Sequence, residues 1–167
     1  MNSTTEQVAR FKEVLGNYPT GVTVVTAADE NGTPVGLTVN SFASVSIDPL
    51  LVLWSIDRKV SSFDIFQNTD KFAIHTLADD QAEICTLFAS RDIDRFANCE
   101  WNLSEHALPI ISGSYGVLQC KTFKKVDAGD HLILIGEVID IEVEKKEPLL
   151  YHKRKFGKIP EEFYASK

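Results

Sequence analysis

Residues 36–56 read GLTVNSFASVSIDPLLVLWSI, and this stretch decides the fold. A strand ends near Thr38, where Thr38, Val39, Asn40 and Ser41 form a small, mostly polar break. Strand character resumes over residues 43–47, turns at Asp48-Pro49, and returns over residues 50–56 with a wholly apolar run from Leu50 to Trp54. β-Branched and aromatic side chains favour such pleated, half-buried surfaces. Small polar residues between two β segments leave backbone N–H groups and short hydroxyls available to a flat polar ligand. Asn and Ser also favour turns that satisfy themselves, and the spacing leaves both readings open.

The same reading extends outward. GVTVVTA at residues 21–27 is a strand, Asp29-Glu30-Asn31-Gly32 a hairpin turn, and residues 34–38 the returning strand. Residues 72–77, 115–123 and 131–143 are further strands, the last apolar on both faces because Leu132 and Leu134 alternate with Ile133 and Ile135. Val8, Phe11, Val14 and Leu15 recur at helical spacing and predict a helix over residues 5–15, capped by Thr4 or Thr5 and stopped by Gly16, Asn17 and Pro19. Ser61 and Ser62 predict a short helix reaching Gln67, and Asp80 with Glu83 reads as a capping box for a helix through Phe88. Many short strands with few helices predict a mainly β fold, an antiparallel β-barrel with peripheral helices. Without linker, repeat or low-complexity segment, residues 1–167 read as one domain.

Composition narrows the function. The 167 residues are 44% hydrophobic and 25% charged, the balance of a globular chain. A net charge of −7 repels phosphate backbones and anionic membranes, so neither nucleic acid nor a membrane is an expected partner. The polar N-terminal stretch lacks the apolar core of a signal peptide, and a cytoplasmic location is expected. Cys85, Cys99 and Cys120 form no C-x-x-C pair, and the four histidines are far apart in sequence, so no metal site is expected. No Gly-x-Gly-x-x-Gly follows a strand, no phosphate-binding P-loop occurs, and Gly113-Ser114-Tyr115-Gly116 has the wrong spacing for a nucleophile elbow.

What remains is a chain able to hold a cofactor but poor in catalytic side chains, and no catalytic residue is assigned. That balance is expected where a cofactor carries the chemistry and the protein binds and orients it. Ser61 and Ser62, after Arg58-Lys59, either grip a phosphate at a helix start or simply cap it. Arg91 and Arg95 either reach the same anion or pair with Asp92 and Asp94. His131, behind Gly129-Asp130 at a strand mouth, either bonds a ligand amide or is held by Asp130 or backbone. The basic run 152–157 is either a guide for nucleotide phosphates or a solvated tail, with the tail slightly preferred.

The chain resembles the short-chain flavin reductase family from about Phe11 to Gly157. Pro19-Thr20-Gly21-Val22-Thr23, Gly36-Leu37-Thr38-Val39-Asn40-Ser41-Phe42 and Ser44-Val45-Ser46 with Asp48-Pro49 carry the likeness. Phe88-Ala89, Asp94-Arg95-Phe96, Gly129-Asp130-His131, Gly136-Glu137-Val138 and Pro148-Leu149-Leu150-Tyr151 complete it. The resemblance implies an FMN-binding split barrel acting as an NAD(P)H-dependent flavin reductase, the small component of a two-component flavin monooxygenase. It implies FMN, with FAD possible, as cofactor and NADH or NADPH as reductant. The implied cofactor contacts are Thr38, Val39, Asn40 and Ser41 at the ring and ribityl chain. Ser55, Ser61 and Ser62 are implied along the ribityl-phosphate, and Phe88, Ala89 and Ser90 against the flavin. His131 is implied beside the nicotinamide. A homodimer and a monooxygenase partner are implied as well. The chain departs from the family at Val39, where Ala is common, at Leu50, where a second proline is common, and at Phe156, which takes a tyrosine's place. Two other activities suit the same architecture: a pyridoxamine-phosphate oxidase and a non-catalytic flavin-binding protein.

Overall fold

The computed structural model describes residues 3–165. Helix α1 (Thr5–Asn17) leads into the two-residue strand β1 (Thr20–Gly21). The β-branched run that follows is β2 (Thr23–Ala28), which turns back as β3 (Pro34–Val39). Asp29 Oδ1 accepts from the N–H groups of Asn31 and Thr33, and Gly32 takes the positive φ of 79° that closes the turn. Next come β4 (Ala43–Ile47) and β5 (Leu50–Asp57), joined through a cis Asp48–Pro49 bond. Helix α2 (Phe63–Asn68), β6 (Lys71–Thr76) and α3 (Ala82–Ala89) occupy the middle of the chain. A small hairpin, β7 (Trp101–Leu103) with β8 (Pro109–Ile111), precedes the two long strands β9 (Gly116–Ala128) and β10 (His131–Val143). A last hairpin pairs β11 (Leu150–His152) with β12 (Lys155–Gly157), and β11 also pairs with β1.

Seven strands form one antiparallel sheet in the order β3-β2-β6-β9-β10-β5-β4. Val25, Leu37, Trp54, Phe72 and Leu134 come from five of those strands yet share one buried cluster, so the sheet curls around its own core. Trp54 fills the centre, edge-on to Phe66 at 5.1 Å and to Phe72 at 5.8 Å. The edge strands β3 and β4 are not paired with each other, which leaves the barrel split. The fold is mainly β, as the strand pattern predicts.

A second cluster, including Val22, Val24, Phe88, Ile111 and Leu149, packs on the outside of β2 beneath α3. β2 is therefore buried on both faces, which explains its continuous rather than alternating apolar pattern. His75 of β6 is fully buried on this side. Its Nδ1–H donates to the Val24 carbonyl at 3.0 Å, and its Nε2 accepts from the Ile111 N–H at 3.0 Å. The ring thus joins β2, β6 and β8 in its neutral form, and burial pulls its pKa down from 6.5 to about 4.

Several local expectations are corrected. α1 runs through Gly16 and Asn17 and stops at the extended Tyr18, because a residue before proline is pushed out of the helical region. Its start is a reciprocal pair in which Thr4 and Gln7 each accept from the other's backbone N–H. The Asp80–Glu83 capping box does not form. The position before α3 is Gln81, whose side chain instead joins the Ala78 N–H to the Ser112 carbonyl. The basic run is no tail but the tip of the β11–β12 hairpin, where Lys153 and Arg154 take positive φ values of 49° and 63°. Each such non-glycine residue costs about 1–2 kcal/mol. Finally, the apolar stripe of α1 buries nothing: Phe11 is 65% exposed and Val14 68%.

Candidate functional site

Strand alternation sends Val35, Leu37 and Val39 into the core and turns Gly36 and Thr38 outward toward α3. The Thr38 hydroxyl donates to the Cys85 carbonyl at 2.7 Å, which fixes α3 against β3. Gly36 is required by close approach. A Cβ there would lie 2.8 Å from Phe88 Cε1, so only glycine lets that ring close on the strand. Arg95 completes the frame. Its Nη2 and Nε donate to the Ser90 carbonyl at 2.6 and 3.2 Å, and its Nη1 donates to the Gly36 carbonyl. Burial lowers the Arg95 pKa from its ordinary value. Of the two readings of Arg95, the pairing with Asp92 or Asp94 is not formed among the described residues; backbone carbonyls take its donors.

Between β3, the turn 57–62 and the segment 88–96 lies a cleft of about 1130 Å³. Phe88, Val60 and Ile93 supply apolar wall, and Lys59 and Arg91 supply cations that form no ion pair among the described residues. Asp57, Asp92 and Asp94 also line it; Asp57 Oδ1 accepts from the Lys59 N–H and Asp94 Oδ1 from the Ala97 N–H. Ser62 precedes α2 without capping it, and its buried hydroxyl has no partner among the described residues.

The structure distributes the sequence-predicted residues unevenly. Thr38, Ser61, Ser62, Phe88 and Ala89 line the large cleft. Val39 packs on the core instead. Ser41 and Ser55 bond each other: the Ser41 hydroxyl donates to the Ser55 carbonyl at 3.2 Å and accepts its N–H at 2.9 Å. The Ser90 hydroxyl donates to the Thr86 carbonyl at 2.7 Å. Asn40 opens onto a smaller cleft of about 340 Å³ on the other side of the polar break, shared with Tyr18, Thr20, Phe42, Tyr115 and Leu149. His131 stands outside both linings, opposite Asp57 across the β5–β10 ladder. Its Nδ1 lies 2.7 Å from Asp130 Oδ1, a bond that holds the Asp130 carboxyl below its ordinary pKa. The Arg58 N–H donates to the Asp130 carbonyl at 3.0 Å, which joins this turn to the end of the large cleft. The smaller cleft and the carbonyl contacts of Arg95 escaped the sequence, because the residues that form them are far apart along the chain.

The Flavin reductase like domain family matches residues 15–160. The chain belongs to the flavin reductase family. A flavin reductase of Pseudomonas putida is 40% identical over 148 residues, 88% of this chain and 87% of its own length. The FMN reductase (NADH) SmoA of Agrobacterium fabrum is 40% identical over 153 residues, 92% and 87% of the two chains. The reductase component of the Acinetobacter baylyi trigonelline monooxygenase is 45% identical over 132 residues; the match covers 79% of this chain but 43% of that longer protein. Among solved structures, a Streptomyces globisporus NADH:FAD oxidoreductase with bound NAD and FAD fragments superposes with a TM-score of 0.87. It is 31% identical and covers 96% of this chain and 97% of its own. A homologue of nitrilotriacetate monooxygenase component B from Mycobacterium thermoresistibile reaches 0.90 at 32% identity, covering 99% and 93%.

The large cleft of this flavin reductase fits a flavin on its own chemistry. Its volume of about 1130 Å³ slightly exceeds the roughly 300–1,000 Å³ range of small-molecule sites. It offers an aromatic wall, two cations and a buried hydroxyl without a partner, which together match a ring system carrying a phosphate.

Proposed function

We propose that residues 1–167 form one flavin reductase-like domain that passes a hydride from NADH or NADPH to FMN or FAD held in the large cleft. The observation that carries this reading is the Ser62 hydroxyl, without a partner among the described residues, in a cleft that Lys59 and Phe88 also line. The Ser62 hydroxyl would donate to a phosphate oxygen while Lys59 and Arg91 neutralise its charge. Gly36 lets the Phe88 ring close against β3, and the Thr38 bond to the Cys85 carbonyl holds α3 beside the cleft. A bound flavin would supply the two-electron chemistry, so no side chain of this protein needs to act as acid or base.

Stopped-flow absorbance of flavin mixed with the protein and NADH, NADPH or pyridoxamine phosphate tests the reading directly. Rapid bleaching with a nicotinamide is the expected trace. Bleaching only with pyridoxamine phosphate would make the protein an oxidase of the related kind, and none at all a binding protein.

His131 is proposed to orient the nicotinamide, with Asp130 holding its ring. His131→Ala should leave FMN affinity nearly unchanged and slow flavin reduction at limiting NADH about tenfold, or roughly 1.4 kcal/mol. A loss of many orders of magnitude would contradict a positioning role as firmly as no loss.

The protein is further proposed to work as a cytoplasmic homodimer that delivers reduced flavin to a monooxygenase. The stripe of Val8, Phe11, Val14 and Leu15 supports a second copy, because an uncovered apolar face of this kind is typical of an interface. Among the described residues, no helix is long and apolar enough to cross a membrane.

A further inference from the structure

The β11–β12 hairpin holds two successive non-glycine residues at positive φ, Lys153 at 49° and Arg154 at 63°. Turns of this kind prefer Asn-Gly or Asp-Gly, because those residues reach positive φ with little strain. Here the strained pair is cationic. Lys155 adds a third positive charge, and none of the three forms an ion pair among the described residues of a chain whose net charge is −7. Strain retained against stability points to use rather than accident.

The root of the hairpin is built into the smaller cleft. Leu150 and Tyr151 of β11 pair with Gly21 and Thr20, and both Thr20 and Gly21 line that cleft. Tyr18 and Pro19, the two residues before Thr20, also line it. Strand rise puts the tip only about 7 Å beyond Tyr151. Tyr18 is 71% exposed and offers a flat aromatic face, and the buried Thr20 hydroxyl has no partner among the described residues. Cations, an open aromatic ring and an unfilled hydroxyl at one rim are the elements that receive a nucleotide's phosphates and base.

We propose that the Lys153–Arg154 tip, with Tyr18, binds the diphosphate and adenosine of a dinucleotide at the rim of the smaller cleft. This rests on the flavin reductase reading, in which the reductant and FAD are both dinucleotides, and the tip takes the chemistry they share.

The test replaces strain and charge together. Lys153→Asn with Arg154→Gly gives the turn the residues it prefers, so Tm should rise by a few degrees. Lys153→Gln with Arg154→Gln removes the charge and leaves the strained backbone. Both pairs should weaken binding of ADP-ribose, measured by calorimetry, about tenfold, and binding of FMN by less than twofold. A matching rise in KM for NADH assigns the tip to the reductant, and a matching loss of FAD affinity assigns it to the flavin. ADP-ribose binding within twofold of the parent in both variants would overturn the proposal. Because ADP-ribose carries no redox chemistry, this titration decides the hairpin's role even if the protein reduces no flavin.

Discussion

Between pH 6.5 and pH 4 the protein is expected to lose on the order of 3 kcal/mol of stability through one side chain, His75. In the unfolded chain that imidazole takes up a proton near its ordinary value of 6.5, whereas in the fold it does so near 4. Above pH 6.5 both states hold it neutral and stability is complete. As the pH falls toward 4 the unfolded state alone gains a proton, so stability falls steadily; below 4 both states are charged and the loss levels off. The cause is desolvation, since no carboxylate accompanies the ring and its two nitrogens are already committed to Val24 and Ile111. Urea unfolding at pH 7, 5.5 and 4.5 measures the slope. His75→Gln, whose amide can also donate and accept, should be less stable at pH 7 but flatter with pH. An equal slope in the two proteins would assign the acid sensitivity to other groups.

Arg95→Ala is expected to lower stability by about 2 kcal/mol, the range of hydrogen bonds made by a charged donor. It releases the Ser90 and Gly36 carbonyls at once, and with them the segment that forms one wall of the large cleft. Flavin affinity should fall tenfold or more, read by quenching of flavin fluorescence at a temperature where the variant stays folded. Arg95→Lys should rescue little, because one ammonium cannot span two carbonyls as a planar guanidinium does. Full flavin affinity in a folded Arg95→Ala protein would show that the wall stands without the clamp.

The strands were legible because their signal is local. β-Branched runs, the Asp29–Gly32 turn and the Asp48-Pro49 turn each occupy a few neighbouring residues, and all appear near where they were expected. The site was less legible for a geometric reason. Thr38, Val39, Asn40 and Ser41 look like one polar unit, yet backbone alternation sends them to α3, the core, the smaller cleft and Ser55 respectively. Arg95 and Gly36 are 59 positions apart, and Gln81 reaches 31 positions to Ser112. Nothing in the local sequence announces such contacts, so the neighbouring Asp80 and Glu83 were the natural but wrong cap for α3, and Asp92 and Asp94 only one of two readings for Arg95.

α1 has the sequence of a helix, a well-formed N-terminal cap and no buried side chain. Thirteen residues is about the length at which an isolated helix is only marginally stable in water. If the proposed second copy covers this face, its order should follow a binding isotherm rather than the melting of the barrel. Dilution should erode far-ultraviolet ellipticity before the near-ultraviolet signal of the enclosed Trp54 changes, and that gap measures the grip of whatever lies over Phe11 and Val14.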